Sequence, residues 1–423
     1  MLSSLTVLML FAAAPLAEPQ FDQAPPLIDD AKLQEAGMFR YWQASLPLPL
    51  GDSPDKAHLV DEVLYVVTDG GVLFALTANT GLVRWAAKLT EADHRIYSPA
   101  HIRTADGAGP VVIPTSTKVF IHDRFTGDII RSFAPESAVG SPAVGYDDVL
   151  LVGGADGRFY SLRLNHPLAR EPFKLWAVEV DGRVTAAPVL YAHNMLLFAS
   201  QGGMVYSCRA ADKTLNWVFR ANGPITGDPA VDESGVYVAG LDRSLYRLHL
   251  SSGRMLWRVR FPQPLDEGPI VTAHTVYQYC PGHGLSAIDA DTGREKWRSD
   301  NARAFLAHTR NGDIVFTGDH RLEVVDHDSG HVRHSIEAPA DTRTVSNRND
   351  DAVYLLGRDG RVLCARLDSV PYLRRQQVIA ARQQLNRPPR DEAEAAREAR
   401  EAGDAGADTS LSDPLRSRRD VRP

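Results

Sequence analysis

One short pattern recurs about every forty residues along this chain, and it constrains the fold more than any other feature. In "AIDADTGREKW" (287–297) an alternating apolar run meets an Asp-Thr-Gly turn and then a tryptophan. "VLFALTANTGLVRW" (72–85), "VFIHDRFTGDIIRSF" (119–133), "SLYRLHLSSGRMLW" (244–257) and "RLEVVDHDSGHVRH" (321–334) repeat it. Degenerate copies end at Trp176 and Trp217, and another starts at Arg361, which makes eight.

Each part of the pattern has a physical task. A run with a period of two is a half-buried strand. The turn that follows places Gly81, Gly127, Gly253, Gly293 or Gly330 where positive φ is needed. Its Asx side chain, such as that of Asp291, is expected to accept a backbone N–H two residues on. Trp85, Trp217, Trp257 and Trp297 then hold one fixed place in the next strand, and Trp176 closes a degenerate copy. A large ring at one place per unit is expected to pack between neighbouring units.

Upstream of each copy lie apolar runs joined by turn pairs, among them "VLYVVTDGG", "VLLVGGADGR", "MLLFASQGG" and "AVYLLGRDGR". Asp-Gly and Gly-Gly between apolar runs are strong hairpin signals. Earlier still come "YSPAHI", "GSPAVG", "AAPVLY" and "GDPAVD", whose proline suits the mouth of a first strand, where no ladder donor is required. Four strands per repeat of this period spell a propeller blade. The expected fold is all-β: an eight-bladed β-propeller of four-stranded blades. A solenoid stack of β-units is the other periodic option, but its repeats are usually shorter or helical.

Closure also leaves a mark. The last unit, 351–367, has no tryptophan strand after it, whereas "MFRYWQASLPL" (38–48) is an orphan strand with Trp42 placed 43 residues before Trp85. This N-terminal strand is expected to complete the final blade and leave no open seam. The propeller then runs over 38–373.

The flanks differ in composition. Residues 1–17 carry an apolar run too short for a bilayer span of about 20 residues, and they read as a secretory signal peptide cleaved near Ala17. No Lys or Arg precedes Lys32. No cysteine follows the run, so the expectation is a secreted or periplasmic protein that is not a lipoprotein and has no transmembrane segment. Residues 18–37 read as a linker. The tail, 374–423, is rich in Ala, Arg, Glu and Asp and reads as partly helical, then disordered past Gly403. A net charge of −7 with no basic stripe argues against nucleic acid. Cys208, Cys280 and Cys364 are too few and too scattered for a disulfide framework, and Cys208 and Cys364 fit as small core residues.

The unit Leu-Tyr-x-Leu-x-x-x-Ser/Thr-Gly-x-x-x-Trp resembles the quinoprotein, or pyrroloquinoline-quinone-like, repeat, over nearly all of 38–373. That family includes eight-bladed alcohol dehydrogenases and also non-enzymatic propellers that resemble the scaffold of the outer-membrane β-barrel assembly machinery. In the quinone enzymes, the resemblance implies a cofactor stacked on a tryptophan beneath a disulfide of adjacent cysteines, with Ca²⁺ and an Asp base. Here there is no adjacent cysteine pair, and blade packing uses all six tryptophans. Calcium needs six to eight oxygens, and long loops to supply them are missing.

Other chemistry is equally thin. The dense segment "HRLEVVDHDSGHVRH" offers Asp326, His327, Asp328, His331 and His334 as metal ligands, but it contains a blade turn, and His334 stands in the tryptophan place. "GGADGR" is a hairpin between strands and no phosphate cradle. No catalytic residue, cofactor or metal ligand is therefore assigned. The expected function is a non-catalytic extracytoplasmic binding or scaffolding propeller, monomeric, with protein partners on a propeller face. Envelope protein assembly is one specialisation of that reading. The alternative is a quinone-dependent dehydrogenase, or another enzyme using the central funnel.

Overall fold

The computed structural model describes residues 24–385, apart from 92–93, 103–108, 165–171, 192–193 and 273. The expected signal segment and the tail from residue 386 lie outside the described residues. Strands dominate, arranged as eight antiparallel sheets of four strands each. Seven blades are continuous in sequence: blade 1 over 54–88, blade 2 over 100–133, blade 3 over 139–179, blade 4 over 189–220, blade 5 over 230–260, blade 6 over 270–299 and blade 7 over 302–337. Blade 8 takes three strands from 343–367 and its fourth, β1 (Met38–Ser45), from the other end of the chain. The strand β1 runs antiparallel to Arg361–Leu367, with Trp42 opposite Cys364 and Ser45 opposite Arg361. The ring is an eight-bladed β-propeller closed by its N-terminal strand, as the orphan strand and the spacing of Trp42 implied.

Burial explains the patterning inside each blade. The second and third strands of blade 1, Val63–Thr68 and Val72–Thr77, are almost wholly buried because a neighbouring sheet covers each face. Such strands read as continuous apolar runs. Fourth strands lie outermost and are half exposed, as in Val332–Glu337, where only Ile336 is buried. The core is accordingly a series of layers between blades. One layer sets Tyr65, Leu73 and Trp85 of blade 1 against Val111 and Ile113 of blade 2.

The segment before β1 departs from the linker expectation. Asp29 caps helix α1 (Asp30–Glu35), its carboxylate accepting the Ala31 N–H at 3.0 Å. Leu33 is fully buried, and with Leu27, Ile28 and Ala36 it packs on Ile314, Leu322 and Ile336 of blade 7 and Val353 and Leu363 of blade 8. There is a topological reason. Blade 8 borrows its fourth strand, so no turn links its third strand to its fourth, and the incoming chain fills the seam. From Arg375 the chain forms a second unit, whose described part is helix α2 (Arg375–Leu385). All three cysteines are free and buried.

Candidate functional site

The tryptophans and glycines singled out from the sequence build seams between blades. Each indole N–H donates to a backbone carbonyl in the third-to-fourth-strand turn of the next blade. Trp42 reaches Ala78 at 2.9 Å, Trp85 reaches Arg124 at 3.1 Å and Trp176 reaches Ala210 at 3.1 Å. Trp217, Trp257 and Trp297 reach Leu250, Ala290 and His327, each at 2.9 Å. The turn glycine lies flat on that ring: Gly81 on Trp42, Gly127 on Trp85, Gly253 on Trp217, Gly293 on Trp257 and Gly330 on Trp297. At Gly293, φ is +72°, and a Cβ would meet Trp257 Cδ2 at 2.9 Å, so both strain and contact select glycine. Over Trp176 the same place is held by Lys213 at φ +55°.

The Asx contact is shifted from its expected place. Asp289, at the end of the third strand, accepts the Thr292 N–H at 2.8 Å, and these Thr292 hydrogen bonds hold its carboxyl below the usual range. Asp291 instead faces Arg247 of the previous blade at 3.2 Å.

Two blades lack the tryptophan. In blade 2 the register place is Arg131, whose guanidinium donates to the Leu164 carbonyl of blade 3. In blade 7 it is His334, opposite Val324 and exposed. Neither following blade has the usual short turn sequence: nine residues, LNHPLAREP, separate the third and fourth strands of blade 3, and blade 8 is split between the two ends of the chain.

The first strands enclose a central channel of about 770 Å³. Its charged lining includes Arg95, Asp228 and Arg348, and no tryptophan is among the described lining residues. Asp228 Oδ1 accepts the Ala187 N–H at 2.7 Å. Desolvation by the surrounding channel walls pushes the Asp228 carboxyl up, against that hydrogen bond and the nearby Arg348 and Arg95 charges. His58, also on the channel, is pushed down to about 4 by burial and by Lys56, so its imidazole is neutral near pH 7.

On the outer strands one register faces solvent, two places before the tryptophan position. It holds Ile129 in blade 2, Leu215 in blade 4, Met255 in blade 5 and Val332 in blade 7. These side chains are 64%, 58%, 47% and 41% exposed. Phe173 and Leu256 add apolar surface beside them. Ile129, Leu215, Met255 and Val332 lie on separate blades and recur at one register around the ring. Blade 6 carries Glu295 at that register and blade 3 carries Lys174.

Of the metal-ligand candidates, Asp326 caps its own turn, accepting the Asp328 and Ser329 N–H groups at 3.1 and 3.0 Å. Asp328, His331 and His334 are spread along that turn and the outer strand. His327 turns inward to meet His308 and Asp313, which the sequence reading did not single out. A second cluster joins Asp61 and Glu62 of blade 1 to His101 of blade 2. His101 Nδ1 lies 2.8 Å from Asp61, its Nε2 lies 2.8 Å from the Tyr65 hydroxyl, and Arg84 and Arg124 each sit 3.4 Å from Glu62.

The family described as outer membrane protein assembly factor BamB matches residues 173–260 and 245–386, together half of the chain. Among curated proteins, the outer membrane protein assembly factor BamB of Nitrosomonas eutropha is 28% identical over 158 residues, 36% of this chain and 37% of the relative. That of Yersinia pestis is 22% identical over 141 residues, 30% of this chain and 36% of the relative. The chain thus spans little more than a third of the length of either curated relative in these matches. Among solved structures, BamB from Moraxella catarrhalis superimposes with a TM-score of 0.63 at 16% identity, over 79% of this chain and 99% of that one. The computationally designed Ika8 protein gives 0.59 at 14%, over 76% and 98%. At such identities the structural likeness speaks for the fold alone.

Proposed function

The chain belongs to the family of outer membrane protein assembly factor BamB, and we propose that it is a non-catalytic scaffold, outside the cytoplasm, that holds a protein partner during outer-membrane protein assembly. The partner docks on the outer strands. The observation that carries this reading is the return of an exposed apolar side chain at one register: Ile129, Leu215, Met255 and Val332. Exposed apolar groups at a repeated register cost solvation unless a partner covers them. Family membership favours assembly over the quinone-enzyme alternative.

The test is the triple variant Ile129→Ser/Leu215→Ser/Met255→Ser in cells that depend on this protein. Folded β-barrel proteins in the outer membrane should fall, while the melting temperature of the purified variant stays close to that of the parent, because exposed substitutions change stability little. Undiminished barrel levels would count against the docking surface.

A further inference from the structure

We infer that His308, Asp313 and His327 form a binding site for one divalent transition-metal ion of the zinc class, at the solvent side of the seam between blades 6 and 7. Asp313 lies on the second strand of blade 7, directly across from His308 on the first. His327 follows the third strand, in the turn that roofs Trp297. Both imidazole Nδ1 atoms converge on one oxygen, Asp313 Oδ1, at 2.8 Å from His308 and 2.9 Å from His327. The two rings lie 4.3 Å apart between centroids. The three ligand atoms are within 4.8 Å of one another, and they come from three separate segments of one blade.

Charge gives the first reason for a cation here. Asp313 is 0% exposed, and the ion pairs described for it are with the two histidines alone. A buried carboxylate needs compensation. The cluster at Asp61, Glu62 and His101 contains the same residue types but already carries Arg84 and Arg124. Its charge is met by guanidinium groups, and a metal there has less to do.

The surrounding groups hold the ligands in place. The Tyr277 hydroxyl of blade 6 donates to Asp313 Oδ2 at 2.5 Å, which leaves Oδ1 aimed at the imidazoles. Tyr277 is itself fixed by a stacked contact with Phe305 at 4.1 Å. His327 is tethered through its carbonyl, which accepts the Trp297 indole N–H. Outer-shell bonds of this kind orient metal ligands and tune affinity. Two imidazoles and a carboxylate suit zinc, nickel or copper over calcium or magnesium. Zinc bonds of 2.0–2.2 Å put tetrahedral ligand atoms about 3.3 Å apart, so each nitrogen needs to draw back from Asp313 Oδ1 by about half an ångström to admit the ion. The His308 side chain, 53% exposed, is free to do so and leaves a fourth position for water. In the metal-bound form each histidine carries its proton on Nε2, so a neutral ring changes tautomer without losing a proton.

The test uses the purified full chain stripped with chelator and titrated with Zn²⁺ in a calorimeter, with Co²⁺ as the visible-absorbing probe. The wild type should take up one equivalent at this site, gain the absorption bands of nitrogen- and oxygen-ligated Co²⁺, and melt at a higher temperature. His308→Gln and His327→Gln should each weaken binding by at least about tenfold and lose the thermal shift. His331→Gln/His334→Gln, which alters neighbouring histidines outside the cluster, should leave both intact. These histidine variants replace partly exposed side chains and do not depend on the fully buried Asp313 tolerating change. No uptake by the wild type, or equal uptake by the His308→Gln/His327→Gln double variant, overturns the site.

Discussion

Blade 7 meets blade 6 through Trp297, which slots under Gly330 and donates to the His327 carbonyl, yet toward blade 8 its tryptophan place is an exposed His334, and Leu27, Ile28 and Leu33 of the incoming chain fill the seam. The same blade thus uses two solutions. A tryptophan serves where the next blade has a short local turn whose residue over the ring is left-handed, a glycine in five seams and Lys213 over Trp176. Blade 8 has no such turn, because its fourth strand arrives from the far end of the chain. Helix α1 replaces both the ring and its roof. The blade 2 to blade 3 seam follows the same logic with Arg131, whose guanidinium reaches the Leu164 carbonyl where an indole would have donated.

Removing Met38–Ser45 should have the largest effect on this contrast. It takes away the ladder to Arg361–Leu367 and the buried Trp42, and exposes a strand edge. Cooperative unfolding should be lost and aggregation should rise, measured by thermal scans and light scattering. Next comes Trp297→Ala, which should destabilise by about 3–5 kcal/mol as a truncated buried aromatic. Leu33→Ala should cost about 2–5 kcal/mol by chemical denaturation, the penalty of a core leucine. A loose linker would give a loss near zero, and that outcome would remove α1 from the seam. The smallest effects test the turn alone, with opposite signs. Gly293→Val should cost about 1–3 kcal/mol through backbone strain, whereas Lys213→Gly should stabilise by up to about 1 kcal/mol, because it relieves a left-handed lysine.

What could be read from the sequence was whatever repeats locally. Strand alternation, the Gly293-type turn and the tryptophan register all lie within one unit, so their period reveals them. Trp42 was legible through its offset from Trp85, although its strand is completed from the other end of the ring. The missed features arise between units. Nothing in "DAKLQE" shows that Leu33 fills a seam with residues some three hundred positions away. His308 and Asp313 become partners only by cross-strand pairing, and His327 only by the turn of its blade. The segment 320–334 drew attention by its histidine density, yet a single one of its histidines, His327, joins that cluster. The apolar register at Ile129 and Leu215 was hidden for another reason: an apolar residue in an alternating strand is expected to point inward, and the bulge just after each of these positions, at Ile130 and Asn216, breaks the alternation between them and the tryptophan place.

Docking on the outer strands, as opposed to the channel, is tested most directly by site-specific photo-crosslinking in cells. A photoreactive amino acid is placed at Leu215, at Glu295 on the matching register of blade 6, and at Thr226 on the channel lining. Leu215 should yield a discrete adduct with a protein of the outer-membrane assembly pathway, and Glu295 and Thr226 should yield far less. A strong adduct from Thr226 with none from Leu215 would move the working surface into the channel and contradict the scaffold proposed for the outer strands.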